Sequence, residues 1–215
     1  MYRGKNGMDH KIVIVGIGPG SPDYILPIAQ KKIKAAKILA GSRRALAALS
    51  EPGQITLPID KEIPALMTLI EQYLQQDDVV ILVSGDPGCY SLLPAVQRFL
   101  PQAKLEVIPG ISSFQMAFSR IASVWQDATL VSLHGREAKR DVFMFNQCKK
   151  IAFLTDPVHC PSWIAAELIA GGWPLEAKVY LCEALSYQEE KIVSSTLQEV
   201  VKVAGFSHSV MVVTG

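Results

Sequence analysis

The sequence KIVIVGIGPG at residues 11–20 joins a run of β-branched residues directly to a turn made of glycine and proline. A continuous apolar run of this kind is typical of a strand that is buried on both faces. The segment VVILVSGDPG at residues 79–88 repeats the arrangement, and LEVIPGISS at residues 105–113 is a third version of it. Segments with helical periodicity separate these runs. The alternation of strands and helices predicts an α/β fold.

The same alternation begins a second time after residues 122–128, ASVWQDA, which we interpret as a linker. Further strands are predicted at residues 129–133, 151–154, 178–182 and 209–213, with an edge strand at residues 189–195. We therefore predict two α/β domains, at residues 1–122 and 129–215. The first half favours a parallel sheet, and the second half, which has more strands per residue, favours some antiparallel pairing.

The composition excludes several classes of protein. Hydrophobic residues make up 49% of the 215 residues and charged residues 19%, with a net charge of +1. This charged share lies below the roughly 25% of an average soluble domain and predicts much buried area, from a sheet covered on both faces, from two domains pressed together or from a subunit interface. A disordered chain and a general nucleic-acid or membrane-surface role are disfavoured. No apolar run reaches the roughly 18 residues of a membrane span, and the four cysteines are widely spaced, so we expect a cytoplasmic protein with reduced thiols.

The three glycine-containing turns are the best candidates for a binding site. Ligands of open α/β sheets bind outside the carboxyl ends of the strands, where these turns lie. Gly85 allows a ligand to approach the backbone closely, and Asp86 adds a carboxylate. Structural alternatives remain open: Asp86 can form an Asx-turn, and Ser112 or Ser113 can cap the following helix.

A dinucleotide site is an alternative interpretation of the first turn. The turn GIGPG follows a strand, and Arg43 and Arg44 follow a short second strand predicted at residues 38–40, as an NADP site would require. However, the pattern is not G-x-G-x-x-G, and Pro19 lacks the backbone N–H that a phosphate cradle uses. An NADP-dependent oxidoreductase is therefore kept only as an alternative of another class, together with a non-catalytic binding subunit.

The three turns in this order resemble the tetrapyrrole methylase family of S-adenosylmethionine-dependent methyltransferases. The segments IAFLTDP at residues 151–157 and LCEAL at residues 181–185 also match, and the resemblance extends from residue 11 onward. It implies two α/β domains with the methyl donor, S-adenosyl-L-methionine, folded in the cleft between them, and S-adenosyl-L-homocysteine as product. It also implies a homodimer.

The resemblance places the cofactor-binding positions in these segments. They are Pro19, Ser84, Gly85, Asp86, Cys89, Ser112, Ser113, Thr155 and Leu185. Positioning and exclusion of water are expected to dominate a methyl transfer of this kind.

The implied acceptor is a large macrocycle with several carboxylates, and a guanidinium fork matches a carboxylate. Arg43, Arg44 and Arg136 are the predicted substrate-binding residues, with a solvated surface charge as the alternative. His134 and Arg136 are the predicted catalytic residues, because imidazole is a suitable proton-transfer group. A structural role in the turn is the alternative for His134. No metal site is predicted, because the adjacent pair His159 and Cys160 lacks suitably spaced partners.

Within the family, residues 132–136, SLHGR, and the chain length most resemble the members that act on corrin precursors. This resemblance implies methylation of carbon 5 of precorrin-7 or cobalt-precorrin-7 in cobalamin biosynthesis. Another substrate is the alternative: uroporphyrinogen, another precorrin, ribosomal RNA or diphthine. The near-neutral charge disfavours RNA. The chain ends after its last predicted strand, so we expect a separate protein to perform the carbon-15 methylation and decarboxylation.

Overall fold

The computed structural model describes residues 10–59, 62–145, 150–206 and 208–215. The chain divides into two compact units, Met1–Ser112 and Ser113–Gly215. Each unit contains one five-stranded sheet together with helices. The predicted α/β fold is thus confirmed.

The first unit is built on a parallel sheet. Its elements in chain order are β1 (Lys11–Gly16), α1 (Pro27–Ala35), β2 (Ile38–Gly41), α2 (Arg43–Leu49), β3 (Ile55–Pro58), α3 (Ile63–Tyr73), β4 (Val79–Val83), α4 (Leu93–Phe99) and β5 (Lys104–Ile108). The strands lie in the order β3-β2-β4-β1-β5, with parallel pairing throughout. The predicted parallel sheet is therefore present.

Both faces of this sheet are buried because side chains alternate along its central strands. Ile12 and Ile14 of β1 belong to a buried cluster that includes Met67 of α3. Val13 belongs to a second cluster, with Ile33 of α1. Since successive side chains of a strand face opposite sides, a strand that is apolar at every position needs helices on both faces.

The strand register brings the three predicted turns to one level. Gly16 at the end of β1 lies beside Val83 of β4, and Val15 lies beside Ile108 of β5. The loops that follow β1, β4 and β5 therefore leave the sheet side by side at its carboxyl edge.

The second unit contains a mixed sheet. Its elements are α5 (Ser113–Arg120), β6 (Thr129–Ser132), β7 (Lys150–Leu154), α6 (Pro161–Ala170), β8 (Lys178–Glu183), β9 (Lys191–Thr196), α7 (Leu197–Val200) and β10 (Ser209–Thr214). The strand order is β6-β7-β10-β8-β9. The β6–β7 pair is parallel, and the other pairs are antiparallel, as predicted for this half.

Two features differ from the sequence-based expectation. The division between the units falls at Ser112 and Ser113, so the predicted boundary at residues 122–129 lies inside the second unit. The reason is that α5, which buries Phe114 and Phe118, packs against β10 of the second sheet. The strand β3 was not predicted, because only Leu57 of its four residues is buried and no apolar run marks it.

No helix in the described part of the chain is long and apolar enough to cross a membrane.

Candidate functional site

Three glycines meet where the loops of the first unit cross. We call Gly16, Gly85 and Gly110 the glycine crossing. A Cβ atom on Gly110 would lie 2.2 Å from the carbonyl oxygen of Gly85, and one on Gly16 would lie 2.6 Å from both that oxygen and the Gly110 nitrogen. All these neighbours are backbone atoms, so no side chain can turn aside to make room. The crossing therefore requires glycine at Gly16 and Gly110.

Gly18 and Gly85 also bind each other directly. The Gly85 N–H donates to the Gly18 carbonyl at 2.8 Å, and the Gly18 N–H donates to the Gly85 carbonyl at 3.3 Å. Both residues have the left-handed φ that favours glycine, +75° and +68°. This bridge ties the loop after β1 to the loop after β4 and leaves Pro19 beyond it, partly exposed.

Asp86 accepts hydrogen bonds from two backbone groups of these loops. Its Oδ1 accepts from the Gly88 N–H at 2.8 Å, and its Oδ2 accepts from the Gly110 N–H at 3.1 Å. The first contact is the Asx-turn that was open as an alternative. The second joins the loop after β4 to the loop after β5. Whether the carboxylate also contacts the methyl donor stays a prediction.

Two more predicted cofactor residues lie beside this aspartate. The half-buried thiol of Cys89 is hydrogen-bonded to Ser112, and its pKa is raised by burial and by the nearby charge of Asp86, while that hydrogen bond opposes the shift. The side chain of Ser112 is buried, whereas Ser84 is exposed at the start of the same loop. The first unit thus brings Gly85, Asp86, Cys89 and Ser112 together. Ser113 begins α5 in the second unit.

Arg43 and Arg44 belong to the same edge of the first sheet. Both are exposed in the first turn of α2, directly after β2, which runs parallel to β4. The structure therefore places the predicted substrate arginines at the carboxyl edge from which the three glycine loops leave.

In the second unit, four chain segments meet at one edge of the sheet. Ser132 of β6 lies beside Leu154 of β7, and the antiparallel strand β10 begins with Ser209 opposite Glu183 of β8. The segments that follow β6, β7 and β8 and the segment that precedes β10 consequently share this edge. The predicted residues His134, Arg136, Thr155 and Leu185 all lie in these segments.

Thr155 is engaged with Ser209 at this edge. Its Oγ1 accepts from the Ser209 N–H at 2.8 Å and donates within 3.1 Å of the Ser209 carbonyl, and the residue is only 2% exposed. The hydroxyl group therefore already has partners within the protein. The backbone N–H of Thr155 also donates to the Ser209 carbonyl, at 3.0 Å. The cofactor-binding role of Thr155 stays a prediction.

Asp156 is the residue that sequence reasoning missed at this edge. Its carboxylate accepts from the N–H groups of Gly135 at 2.9 Å, Val158 at 2.9 Å and His159 at 2.6 Å. These donors, first among them the His159 N–H, hold the pKa of Asp156 below its ordinary value of 3.8. The sequence contained a signal: LTDP at residues 154–157 repeats the Asp-Pro pair of SGDP at residues 84–87.

His134 and Arg136 are both exposed on the turn that follows β6. The ring of His134 packs edge-to-face against the ring of His208, with 5.5 Å between the ring centroids. The two side chains can therefore meet a ligand at this edge. Their catalytic and substrate-binding roles stay predictions.

Leu185 lies in a strained loop. The residue is 6% exposed, and its neighbours Ala184 and Ser186 have φ values of +49° and +72°. Such backbone strain in residues other than glycine persists only where surrounding contacts enforce it. Here Glu190 accepts from the Ser186 N–H and from Arg120 Nε of α5, both at 2.6 Å.

Within the described residue ranges, no group of three or more His, Cys, Asp or Glu side chains is arranged to hold a metal ion.

Comparisons with known proteins agree with this architecture. The profile of the tetrapyrrole (corrin/porphyrin) methylases matches residues 11–201. A probable cobalt-precorrin-7 C(5)-methyltransferase of Methanocaldococcus jannaschii is 32% identical, over 88% of this chain and 90% of the relative. A cobalt-precorrin-7 C(5)-methyltransferase of Salmonella typhimurium is 30% identical, over 84% and 88%.

A solved structure is similar over the same extent. The uroporphyrin-III C-methyl transferase of Thermus thermophilus, in complex with S-adenosyl homocysteine, has a TM-score of 0.79 and 26% identity, covering 95% of this chain and 92% of that one. Together these matches define an α/β enzyme that transfers methyl groups. The chain belongs to the tetrapyrrole (corrin/porphyrin) methylase family.

Proposed function

We propose that the chain transfers a methyl group from S-adenosyl-L-methionine to carbon 5 of precorrin-7 or cobalt-precorrin-7 in cobalamin biosynthesis. The match to the Methanocaldococcus relative, which extends over 90% of that protein, carries this proposal. The Salmonella relative bears the same activity in its name.

The loops of the first unit suit the proposed methyl donor. Residues 16–20, 84–89 and 109–113 contain one charged side chain, Asp86, and no lysine or arginine. A carboxylate beside closely packed backbone favours the sulfonium and ammonium groups of the donor. A dinucleotide phosphate in these loops would meet the negative charge of Asp86 and, at Pro19, a residue with no backbone N–H to donate. The charge of the loops thus favours the methyl donor over the dinucleotide.

S-Adenosylmethionine, when bound, supplies a methyl group that is activated by the positive sulfonium. The chain's own residues have to position the acceptor. Arg43, Arg44 and Arg136 can each form a fork on a ring carboxylate. Replacement of a ring hydrogen by methyl also releases a proton, and His134 is the proposed acceptor of that proton. Exclusion of water around the reacting atoms adds to this positioning.

Calorimetric titration tests the cofactor. We expect purified protein to bind S-adenosylhomocysteine and to give no heat with NADPH. Binding of NADPH alone would contradict the proposal and favour an oxidoreductase.

Product analysis tests the reaction. Incubation with S-adenosylmethionine and either precorrin-7 or cobalt-precorrin-7 should give a product with one added methyl group and no loss of carbon dioxide, and the two incubations identify the form that is used. The names of both relatives mention methylation of carbon 5 and not of carbon 15. This supports the proposal that a separate protein performs the carbon-15 step. A doubly methylated, decarboxylated product would contradict this assignment.

We also propose that the protein is a cytoplasmic homodimer. The low charged fraction of 19% supports a subunit interface. Sedimentation at micromolar concentration should give the mass of a dimer, and a monomer would contradict the proposal.

A further inference from the structure

Asp156 holds together two loops that leave neighbouring parallel strands. Its Oδ1 accepts from Val158 and His159 in its own loop, and its Oδ2 accepts from Gly135 in the loop after β6. Nδ1 of His159 lies a further 3.2 Å from Oδ1. The residue is only 7% exposed. A buried carboxylate with this set of donors fixes the separation of the two loops.

The loop that Asp156 holds is a tight turn. The Arg136 N–H donates to the Leu133 carbonyl at 3.2 Å, and Gly135 has a φ of +63°. A left-handed residue at the third position is what a type II turn requires. His134 and Arg136 flank the glycine whose N–H binds Asp156. The orientation of both exposed side chains is therefore coupled to that hydrogen bond.

The first unit contains the same arrangement. Asp86 accepts from the N–H two residues ahead, that of Gly88, and from the N–H of a glycine in another loop, Gly110. Asp156 accepts from Val158, two residues ahead, and from Gly135 in another loop. Each unit thus uses an Asp-Pro turn to fix a glycine-containing loop at the edge of its sheet.

We propose that Asp156 is a positioning residue that fixes the turn carrying His134 and Arg136 for recognition of the carboxylated tetrapyrrole. The inference rests on the proposed function, and it adds a residue whose carboxylate acts through the turn that it holds. Three backbone N–H groups converge on the carboxylate, and an acceptor-only group satisfies all of them. An asparagine of the same shape would turn its NH₂ group toward at least one of these donors. If the asparagine oxygen keeps accepting from Val158 and His159, its NH₂ group faces the Gly135 N–H, which then has no acceptor on this side chain.

The test compares Asp156→Asn with Asp141→Asn, which changes an exposed carboxylate in the same unit. In Asp156→Asn the amide hydrogen of Gly135 should exchange at least about tenfold faster, because its acceptor is lost. Affinity for uroporphyrin III, used as a carboxylated tetrapyrrole probe, should fall by about tenfold. The dissociation constant of S-adenosylhomocysteine should stay within about twofold, and Asp141→Asn should match the wild type.

A second variant keeps the test valid if Asp156→Asn folds poorly. Gly135→Ala retains Asp156 and its contacts to Val158 and His159, and its Cβ would meet nothing within 4 Å, but it strains the turn at a φ of +63°. Gly135→Ala should lower the affinity for uroporphyrin III by a similar factor. The variant that combines Asp156→Asn with Gly135→Ala should bind the probe little more weakly than either single variant, because both substitutions act through one turn.

Three results would overturn the inference. They are an unchanged affinity for the probe in folded Asp156→Asn, an equal loss of affinity for the probe and for S-adenosylhomocysteine in that variant, and no binding of the probe by the wild type. Failure of the proposed function is distinguishable, since it would appear as probe binding by the wild type without methylation of either precorrin-7 form.

Discussion

Replacement of Gly110 by alanine tests the glycine crossing most directly. The new Cβ would lie 2.2 Å from the Gly85 carbonyl oxygen and 2.8 Å from the carbonyl carbon of Gly16. The first distance is roughly 1.2 Å shorter than an ordinary van der Waals contact of 3.4 Å. Because the neighbours are backbone atoms, the loops themselves must separate. Such overpacking costs about 1–3 kcal/mol, which for a chain of this length lowers Tm by roughly 2–12 °C.

The functional loss should exceed the loss of stability. Displacement of a binding loop by about 1 Å is enough to cost about a hundredfold in activity. We therefore expect Gly110→Ala to remain folded in differential scanning calorimetry and to bind S-adenosylhomocysteine at least about tenfold more weakly in titration calorimetry.

Gly53→Ala is the matched control for this prediction. Gly53 has a φ of +92° with nothing within 4 Å of a new Cβ, and it lies in the turn before β3. This variant should lose stability through backbone strain and keep its affinity for S-adenosylhomocysteine. Wild-type affinity and wild-type Tm in Gly110→Ala would refute the steric argument. An equal loss of affinity in both variants would show that general destabilisation, and not the crossing, weakens binding.

Asp86→Asn should lower both Tm and the affinity for S-adenosylhomocysteine, because the new NH₂ group would face a backbone donor. The expected loss of unfolding free energy is about 1–3 kcal/mol. Weaker binding at an unchanged Tm would instead indicate a direct contact between Asp86 and the ligand. Iodoacetamide at neutral pH should alkylate Cys160 faster than buried Cys182. A hydrogen bond from Ser162 is the main cause that lowers the pKa of Cys160, whereas burial raises the pKa of Cys182 to about 12. Peptide mapping that shows faster alkylation of Cys182 would contradict this. The pKa of Glu190 lies below its ordinary 4.5 because Arg120 donates to it, so this contact stabilises the fold above pH 4.5 and is lost as the pH falls through the folded pKa. Urea titrations of Glu190→Gln should therefore show a weaker loss of stability with falling pH below 4.5, and an unchanged acid slope would contradict the assignment.

Much of the fold could be predicted because burial leaves a strong signature in sequence. The runs KIVIV and VVILV are typical of strands covered on both faces, and each forms an interior strand of the first sheet. The edge strand β3 carries no such signature, since a strand that buries one residue is not distinguished by its pattern from a loop. The boundary between the two units could not be predicted from the sequence either. The helix α5 is amphipathic, and its pattern does not indicate which sheet it packs against.

The sequence by itself determined the α/β class, the three glycine turns and the family resemblance, because each depends on local patterns of residue type and spacing. Only the tertiary structure decided what those residues do. The Asp86 carboxylate accepts hydrogen bonds from two backbone N–H groups, and the Thr155 hydroxyl is hydrogen-bonded to Ser209. Asp156, in the loop after β7, accepts a hydrogen bond from the loop after β6. Gly135, which donates to Asp156, lies 21 residues from it along the chain, and Ser209 lies 54 residues from Thr155. Contacts over such separations arise from strand order and register, which no local pattern specifies.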